Sequence, residues 1–500
     1  VNFSRLKQLP FHIFLLPVFY ILHAVNRYYG LFPFRLPAWY LLCYLVLAAI
    51  IYGIGYLLFR SSRKAGLWSI IILIIVFFFG KALDLLRSNS VLHWAASYKI
   101  FLPVIAGSLI ILTIYIKRSS RAFSKLNIYF NLVFWLFVLS EIIFSSVHYF
   151  SGTGKKNNLA LQNTPLNIQL ANIPDTAKPD IFFIVFDEYT SSVSLKKYLN
   201  YDNAWLDSSL AVHGFYIARH SKGNYNATTY SLGSTFDLQY FNYPLEHTPP
   251  IPKSILKAQY SFSKSRLPGI LEKQGYTIKN IGLLDLEKYP TPQTSYFENE
   301  YKSIFYEETI WNRIEKEIGW NIALKFPNRL KKKYKEQQAA AVNHYTSNFK
   351  NILTELQTQT ATPKFIYGHI FMPHRPYCLN RKGEFINTLF NYTRYSRDSL
   401  YLEQLAFCNT WIDSLAKASD KSFNRPRVII IEGDHGYRDA NDEQTIRERE
   451  LMNLSAYYFS DKNHSLLYDS ITPVNSFRVI FNKYFNANLP LLKDSSVLLY

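Results

Sequence analysis

The first 150 residues constrain this 500-residue chain most. Five apolar runs follow one another there, at about 11–25, 39–59, 68–83, 100–116 and 128–147. A helix that crosses a bilayer needs about 20 mostly apolar residues. The second and fifth runs reach that length outright, and the flanks of the others extend them. The same 150 residues hold 14 Lys/Arg and only 2 Asp/Glu. A series of runs almost free of acids predicts a transmembrane domain of about five helices over residues 1–150, and it excludes a single cleavable signal peptide.

Charge placement predicts the orientation. Arg60, Arg63 and Lys64 fall in one short loop, and Lys117, Arg118, Arg121 and Lys125 in another. With Arg5 and Lys7 these make nine cations on one side, against Arg27, Arg35, Lys81, Arg87 and Lys99 on the other. Cytoplasmic loops carry the excess of Lys and Arg. Residues beyond 150 are therefore expected outside the cytoplasm, in an integral protein of the cytoplasmic membrane. The formal net charge of +19 does not point to nucleic acid, because residues 151–500 hold 41 Lys/Arg against 34 Asp/Glu. No nucleic-acid partner is expected.

Residues 151–178 are polar, rich in Asn, Thr, Gly and Pro, and read as a linker. From 179 to 500 strand-like apolar runs alternate with helical patterns, which predicts an extracytoplasmic α/β domain with a mostly parallel central sheet. The expected strands are 181–186, 276–281, 365–371, 428–431 and 456–459. A helix is expected from 307 to about 356, with the basic run "RLKKKYK" as a solvated face and a contact with anionic headgroups as the secondary reading. Cys43 lies in an apolar run. Cys378 and Cys408 are the other two cysteines, and two thiols decide nothing about pairing. No Cys-x₂-Cys spacing, P-loop or internal repeat is present.

Two strand-like runs end in chemistry. "DIFFIVF" leads into Asp187-Glu188, and "RVIIIEG" into Asp434-His435. Ligands of open α/β sheets collect at the carboxyl ends of strands. Carboxylates and imidazole together suit a divalent cation. Between them lies "GNYNATTYSLGSTF", with Thr228, Thr229 and Ser231. A threonine hydroxyl becomes a competent nucleophile when a metal lowers its pKa. "FIYGHIFMPHRPYCLN" supplies His369, His374 and Arg375, and a histidine can protonate or orient a leaving oxygen. Each has a plainer account: Asp187 as a helix cap, Thr228 as a turn residue, His374 as a structural histidine.

In this order, "DIFFIVFDEY", "GNYNATTYSLGS", "HIFMPHRPY", "VIIIEGDHG" and "SITPVNSFRVIFNKYF" resemble the sulfatase-like branch of the alkaline phosphatase superfamily. The similarity is to its membrane-anchored phosphotransferases, typified by lipoteichoic acid synthase. It spans residues 180–490 by motif and the N-terminal third by architecture. The resemblance implies an alkaline phosphatase-like core and one divalent ion (Mn, Mg or Zn) held by Asp187, Thr228, Asp434 and His435. It makes Thr228 the nucleophile and places His374 at the substrate headgroup. His369 and Arg375 are weaker candidates for substrate binding. Glu188 is an alternative ligand and Thr229 an alternative nucleophile. The implied activity is transfer of a phosphoryl-linked lipid headgroup to an envelope glycan or lipid through a covalent threonine. A phosphodiesterase or other ester hydrolase, or a non-catalytic envelope protein retaining the fold, are the alternatives. The chain has no Cys-x-Pro-x-Arg motif or serine counterpart, which disfavours a formylglycine sulfatase. "GHIFMPH" lacks the extra acid of two-metal relatives.

Overall fold

A computed structural model describes residues 9–152, 161, 166–241, 252–291, 298–386, 396–421, 423–438 and 446–499. The expected cations Arg5 and Lys7 lie outside these. The chain forms two compact units, one of residues 1–156 and 299–330, the other of residues 157–298 and 331–500.

The first unit begins with α1 (His12–Arg27), α2 (Arg35–Phe59), α3 (Ser62–Ser88), α4 (Tyr98–Arg118) and α5 (Ser124–Ser151). The last four are long and apolar enough to cross a membrane. α1 has 16 residues, which reach about 24 Å at 1.5 Å per residue beside a hydrocarbon layer of about 30 Å. Polar bonds tie α1 to α5. His23 Nδ1 meets Glu141 Oε1 at 2.8 Å, Asn26 Nδ2 donates to Glu141 Oε2 at 2.7 Å, and His12 Nδ1 meets Asn131 Oδ1 at 2.9 Å. Such bonds glue helices where apolar burial gives no drive for association. Leu42, Val46, Ile50, Ile54 and Leu57 of α2 stay exposed, as a lipid-facing stripe would.

The second unit is an α/β domain. Its elements begin with β1 (Asp180–Phe186), α6 (Ser192–Leu199), α7 (Ala204–Val212), β2 (Phe215–Ile217), α8 (Thr228–Asp237), α9 (Pro252–Ser263), α10 (Arg266–Lys273) and β3 (Thr277–Ile281). The chain then passes through α11 (Glu298–Tyr306) and α12 (Ile310–Leu324) into α13 (Pro327–Gln357). It closes with β4 (Lys364–Ile370), α14 (Arg397–Ser419), β5 (Arg427–Glu432), α15 (Ile446–Leu451), β6 (Ser455–Phe459) and α16 (Ser476–Phe485). The single helix expected over 307–356 is therefore broken, with α12 and α13 separated at Lys325-Phe326 and Pro327 opening α13, where its missing N–H costs nothing.

The six strands run β2-β6-β5-β1-β4-β3. β5, β1, β4 and β3 are parallel, and β6 and β2 pair antiparallel at one edge. Every residue of β1, β4 and β5 is buried. Parallel strands covered on both faces read as unbroken apolar runs for this reason. Along β1 the period of two sends Phe182, Ile184 and Phe186 into one core and Ile181, Phe183 and Val185 into the other. This mostly parallel sheet between two helical layers matches the expected alkaline phosphatase-like core. Leu166, Ile168, Leu170 and Ile173, in the second half of the expected linker, pack on the second core. Cys378 and Cys408 are free buried thiols, and burial pushes Cys378 up to about 12.

Candidate metal centre

The sheet's central strands β1 and β5 are neighbours, with Val185 opposite Glu432. Their carboxyl ends therefore deliver Asp187 and Asp434-His435 to one place. Gly433 and Gly436 flank that pair because the backbone is crowded: a Cβ would stand 2.1 Å from Tyr189 O at the first and 2.1 Å from Arg449 O at the second.

Asp187, Asp434 and His435 are almost completely buried, and one ligand atom from each lies within 4.8 Å of the others. His435 Nε2 stands 3.5 Å from Asp434 Oδ2 and 3.9 Å from Asp187 Oδ1. Ligands about 2.1 Å from a shared ion in tetrahedral geometry stand about 3.4 Å apart. Those same three atoms have no hydrogen-bond partner among the described residues. Buried polar atoms are normally satisfied, so three orphans facing one another fit a cation. Their second atoms are held. His435 Nδ1 contacts Gly436 O at 2.8 Å, which places the proton on Nδ1 and leaves the Nε2 lone pair for an ion. Asp434 Oδ1 accepts from Glu188 N at 2.9 Å, and Asp187 Oδ2 lies 3.2 Å from His369 Nε2. Burial raises the Asp187 carboxyl, but His374, His369 and His435 outweigh it and hold the group below the usual carboxylate range.

His369 is fully buried and both its nitrogens are engaged. Nδ1 lies 3.0 Å from Tyr367 Oη. Alternation along β4 puts Tyr367 and His369 on one face, so the chain Tyr367–His369–Asp187 runs beneath the cluster. Glu188 has φ +63°, a left-handed conformation costly for a residue with a Cβ. Its carboxylate turns aside from the three orphans, accepting from Arg438 N at 2.8 Å and lying 3.7 Å from His374 Nε2.

His374 is partly exposed, and its loop is fixed to β1 by His374 N donating to Asp187 O at 3.2 Å. Arg438 Nη2 donates to His374 Nε2 at 3.0 Å, and Arg438 Nη1 reaches Asn226 O at 3.3 Å. Arg375 is exposed. Thr228 opens α8 and is half-buried, whereas Thr229 is 4% exposed. Ser231, one turn on, donates Oγ to Asp434 O at 2.6 Å, which ties the start of α8 to the Asp434-His435 loop. Asn224 clamps the same turn, giving Nδ2 to Ser234 Oγ at 2.8 Å and Thr235 Oγ1 at 3.0 Å. Leu232 and Phe236, four apart, are fully buried and seat α8 on the core.

Sequence reasoning did not single out Arg438, Tyr367 or Asn224. Arg438 stands three residues after His435, which was the only available signal. It also passed over Glu432, whose two carboxylate oxygens are buried without a partner among the described residues. Burial, then the charge of Asp434, pushes Glu432 well above the usual carboxylate range.

No family model matches the chain, and no curated protein matches it. Solved structures do. The integral membrane protein lipooligosaccharide phosphoethanolamine transferase A (EptA) from Neisseria meningitidis is 12% identical, covers 95% of each chain and gives a TM-score of 0.40. The C-terminal periplasmic domain of phosphoethanolamine transferase EptC from Campylobacter jejuni is 11% identical over 63% of this chain and 92% of its own, with a TM-score of 0.36. The corresponding domain of EptC from Escherichia coli, in a complex with Zn, is 12% identical over 66% of this chain and 92% of its own, with a TM-score of 0.38. These likenesses are too low in identity and in TM-score to carry functional weight.

Proposed function

We propose that this chain is a membrane-anchored, metal-dependent transferase that moves a phosphoryl-linked lipid headgroup onto an envelope glycan or lipid through a covalent bond to Thr228. The observation that carries this reading is the set of three partnerless, buried atoms, Asp187 Oδ1, Asp434 Oδ2 and His435 Nε2, beside the helix that Thr228 opens. A bound divalent ion would supply Lewis acidity, lowering the pKa of the Thr228 hydroxyl and drawing charge from the phosphoryl oxygens. Thr228 Oγ1 makes no hydrogen bond among the described residues and is left for that role.

In the first step Thr228 Oγ1 gives up its proton to solvent and bonds to phosphorus, and the bond from phosphorus to the lipid's glycerol oxygen breaks. The leaving oxygen takes a proton, which His374 would give from Nε2 once the substrate takes the place of Arg438 at that atom. In the second step an acceptor hydroxyl passes its proton to His374 and attacks the same phosphorus, the Thr228 bond breaks, and Oγ1 regains a proton from solvent. The free amides at the start of α8 favour the anionic phosphoryl group throughout. Arg438, which donates to His374, orients the imidazole. His369, with both nitrogens engaged, is assigned to Asp187 and not to substrate.

The orientation of the anchor does not depend on whether α1 spans. The basic connections at 60–64 and 117–125 flank α3 and α5 at the same end, so α5 leaves that end and carries the chain to the other. Lys81 and Arg87, which would weaken the asymmetry, are paired with Glu308 and Glu317. Residues after 151 are accordingly assigned to the extracytoplasmic side.

The test is transfer itself. Full-length protein with metal and a headgroup-labelled phospholipid should release diacylglycerol and pass label to an envelope acceptor, and chelation should stop both. Label released only to water would make the enzyme a phosphodiesterase. No diacylglycerol release under any metal would leave a non-catalytic protein.

A further inference from the structure

We infer that the basic start of α13, with Phe326 before it, is a docking surface for an anionic phospholipid bilayer. The inference rests on the membrane anchor and not on the proposed chemistry.

Residues 318–335 carry six Lys/Arg and no Asp/Glu. Of these, Lys325, Arg329, Lys332, Lys333 and Lys335 are exposed, and none has a partner among the described residues. Cations just before them behave differently. Lys81 pairs with Glu308, Arg87 with Glu317, and Arg313 with Asp84 and Glu308. Lys81, Arg87 and Arg313 are thus matched to acids, whereas, among the described residues, exposed Lys316 and the run from Lys325 are not.

The surplus does not serve the helix. Cations in the first turns of a helix oppose its dipole, and α13 has no acid in its first turn to offset them. A merely solvated face would spread its charge along the helix, whereas α13 beyond Lys335 is near balance, with Glu336, Lys350 and Glu355. The cost is recovered where an external anionic surface faces the run.

Position identifies that surface. α11 and α12 belong to the membrane-spanning unit. Phe305 is fully buried among Tyr44, Phe77 and their neighbours, Tyr44 Oη donates to Phe305 O at 2.7 Å, and Gly80 N donates to Glu308 O at 2.8 Å. These contacts lie in the first half of α2 and the last turns of α3, the end of the bundle away from the basic connections at 60–64 and 117–125. Residues 325–330 continue that unit. Phe326 is 58% exposed and Trp311 40% exposed. Exposed aromatics beside unpaired lysines are what a bilayer interface takes up.

The test uses the full chain in nanodiscs of phosphatidylcholine alone or mixed with phosphatidylglycerol, read by hydrogen–deuterium exchange. Amides of residues 325–337 should exchange several-fold more slowly in the anionic discs. The slowing should vanish at high salt and in a K332Q/K333Q/K335Q variant whose β1 and β5 exchange is unchanged. Adding inorganic phosphate to the phosphatidylcholine discs should change nothing. Equal exchange in the two lipids, slowing that survives the triple variant, or slowing by phosphate alone would overturn the inference.

Discussion

The Tyr367–His369–Asp187 chain should set metal affinity without touching the ion. His369 Nε2 holds Asp187 Oδ2 at 3.2 Å, leaving Oδ1 as the free oxygen of a carboxylate otherwise able to rotate. Removing such an outer partner typically weakens metal binding about 10–100-fold, or about 1.4–2.7 kcal/mol at 1.36 kcal/mol per tenfold. His369→Ala should fall in that range. Tyr367→Phe removes only the outer contact at 3.0 Å and, at about 0.5–1.5 kcal/mol for one neutral hydrogen bond, should cost tenfold or less. His369→Gln, which restores a donor, should recover part of the loss. Isothermal titration of chelator-stripped full-length protein measures all three, with the melting temperature of the metal-free protein separating loss of affinity from loss of fold. Unchanged dissociation constants in His369→Ala and Tyr367→Phe would refute the positioning role.

Other outcomes follow from the same geometry. Asp434→Asn and His435→Ala should each strip divalent metal from the purified protein while leaving its circular dichroism intact, and unchanged metal content in both would misassign the site. Glu432 is buried with its pKa raised above the unfolded value, so the folded state holds the extra proton and stability falls as pH rises above about 4.5; Glu432→Gln should raise the melting temperature at pH 7 but not at pH 4, and an equal effect at both would show another cause. A reporter fused at Tyr500 that is active only in the cytoplasm should be silent, and a strong signal would reverse the topology.

The central strands were legible because a strand buried on both faces is an unbroken apolar run, as in Val428–Ile431 and Ile181–Phe186. β2, with three residues, is too short to carry such a signal. Asp187, Asp434 and His435 were legible because each follows such a run, where open sheets gather ligands. The part of Tyr367 was not, since an aromatic in a strand reads as core until its hydroxyl is seen beside His369. Arg438 lies two residues past "VIIIEGDHG", and nothing in its spacing says that it reaches His374 and Asn226. The placement of residues 299–330 with the membrane helices was also invisible, because it depends on Phe305 finding Tyr44 and Phe77, some 230–260 positions earlier. The first apolar run was legible as helix, but its bonds through Asn26 and Glu141 to α5 were not.

The most direct measurement is mass spectrometry of the Thr228 peptide after full-length protein has been mixed with a donor phospholipid and metal and quenched before acceptor is added. The account predicts a phosphoryl-headgroup adduct on Thr228, present in Thr229→Ala, absent in Thr228→Ala and lost once acceptor is supplied. An adduct on Thr229, or turnover with no adduct and full activity in Thr228→Ala, would contradict it.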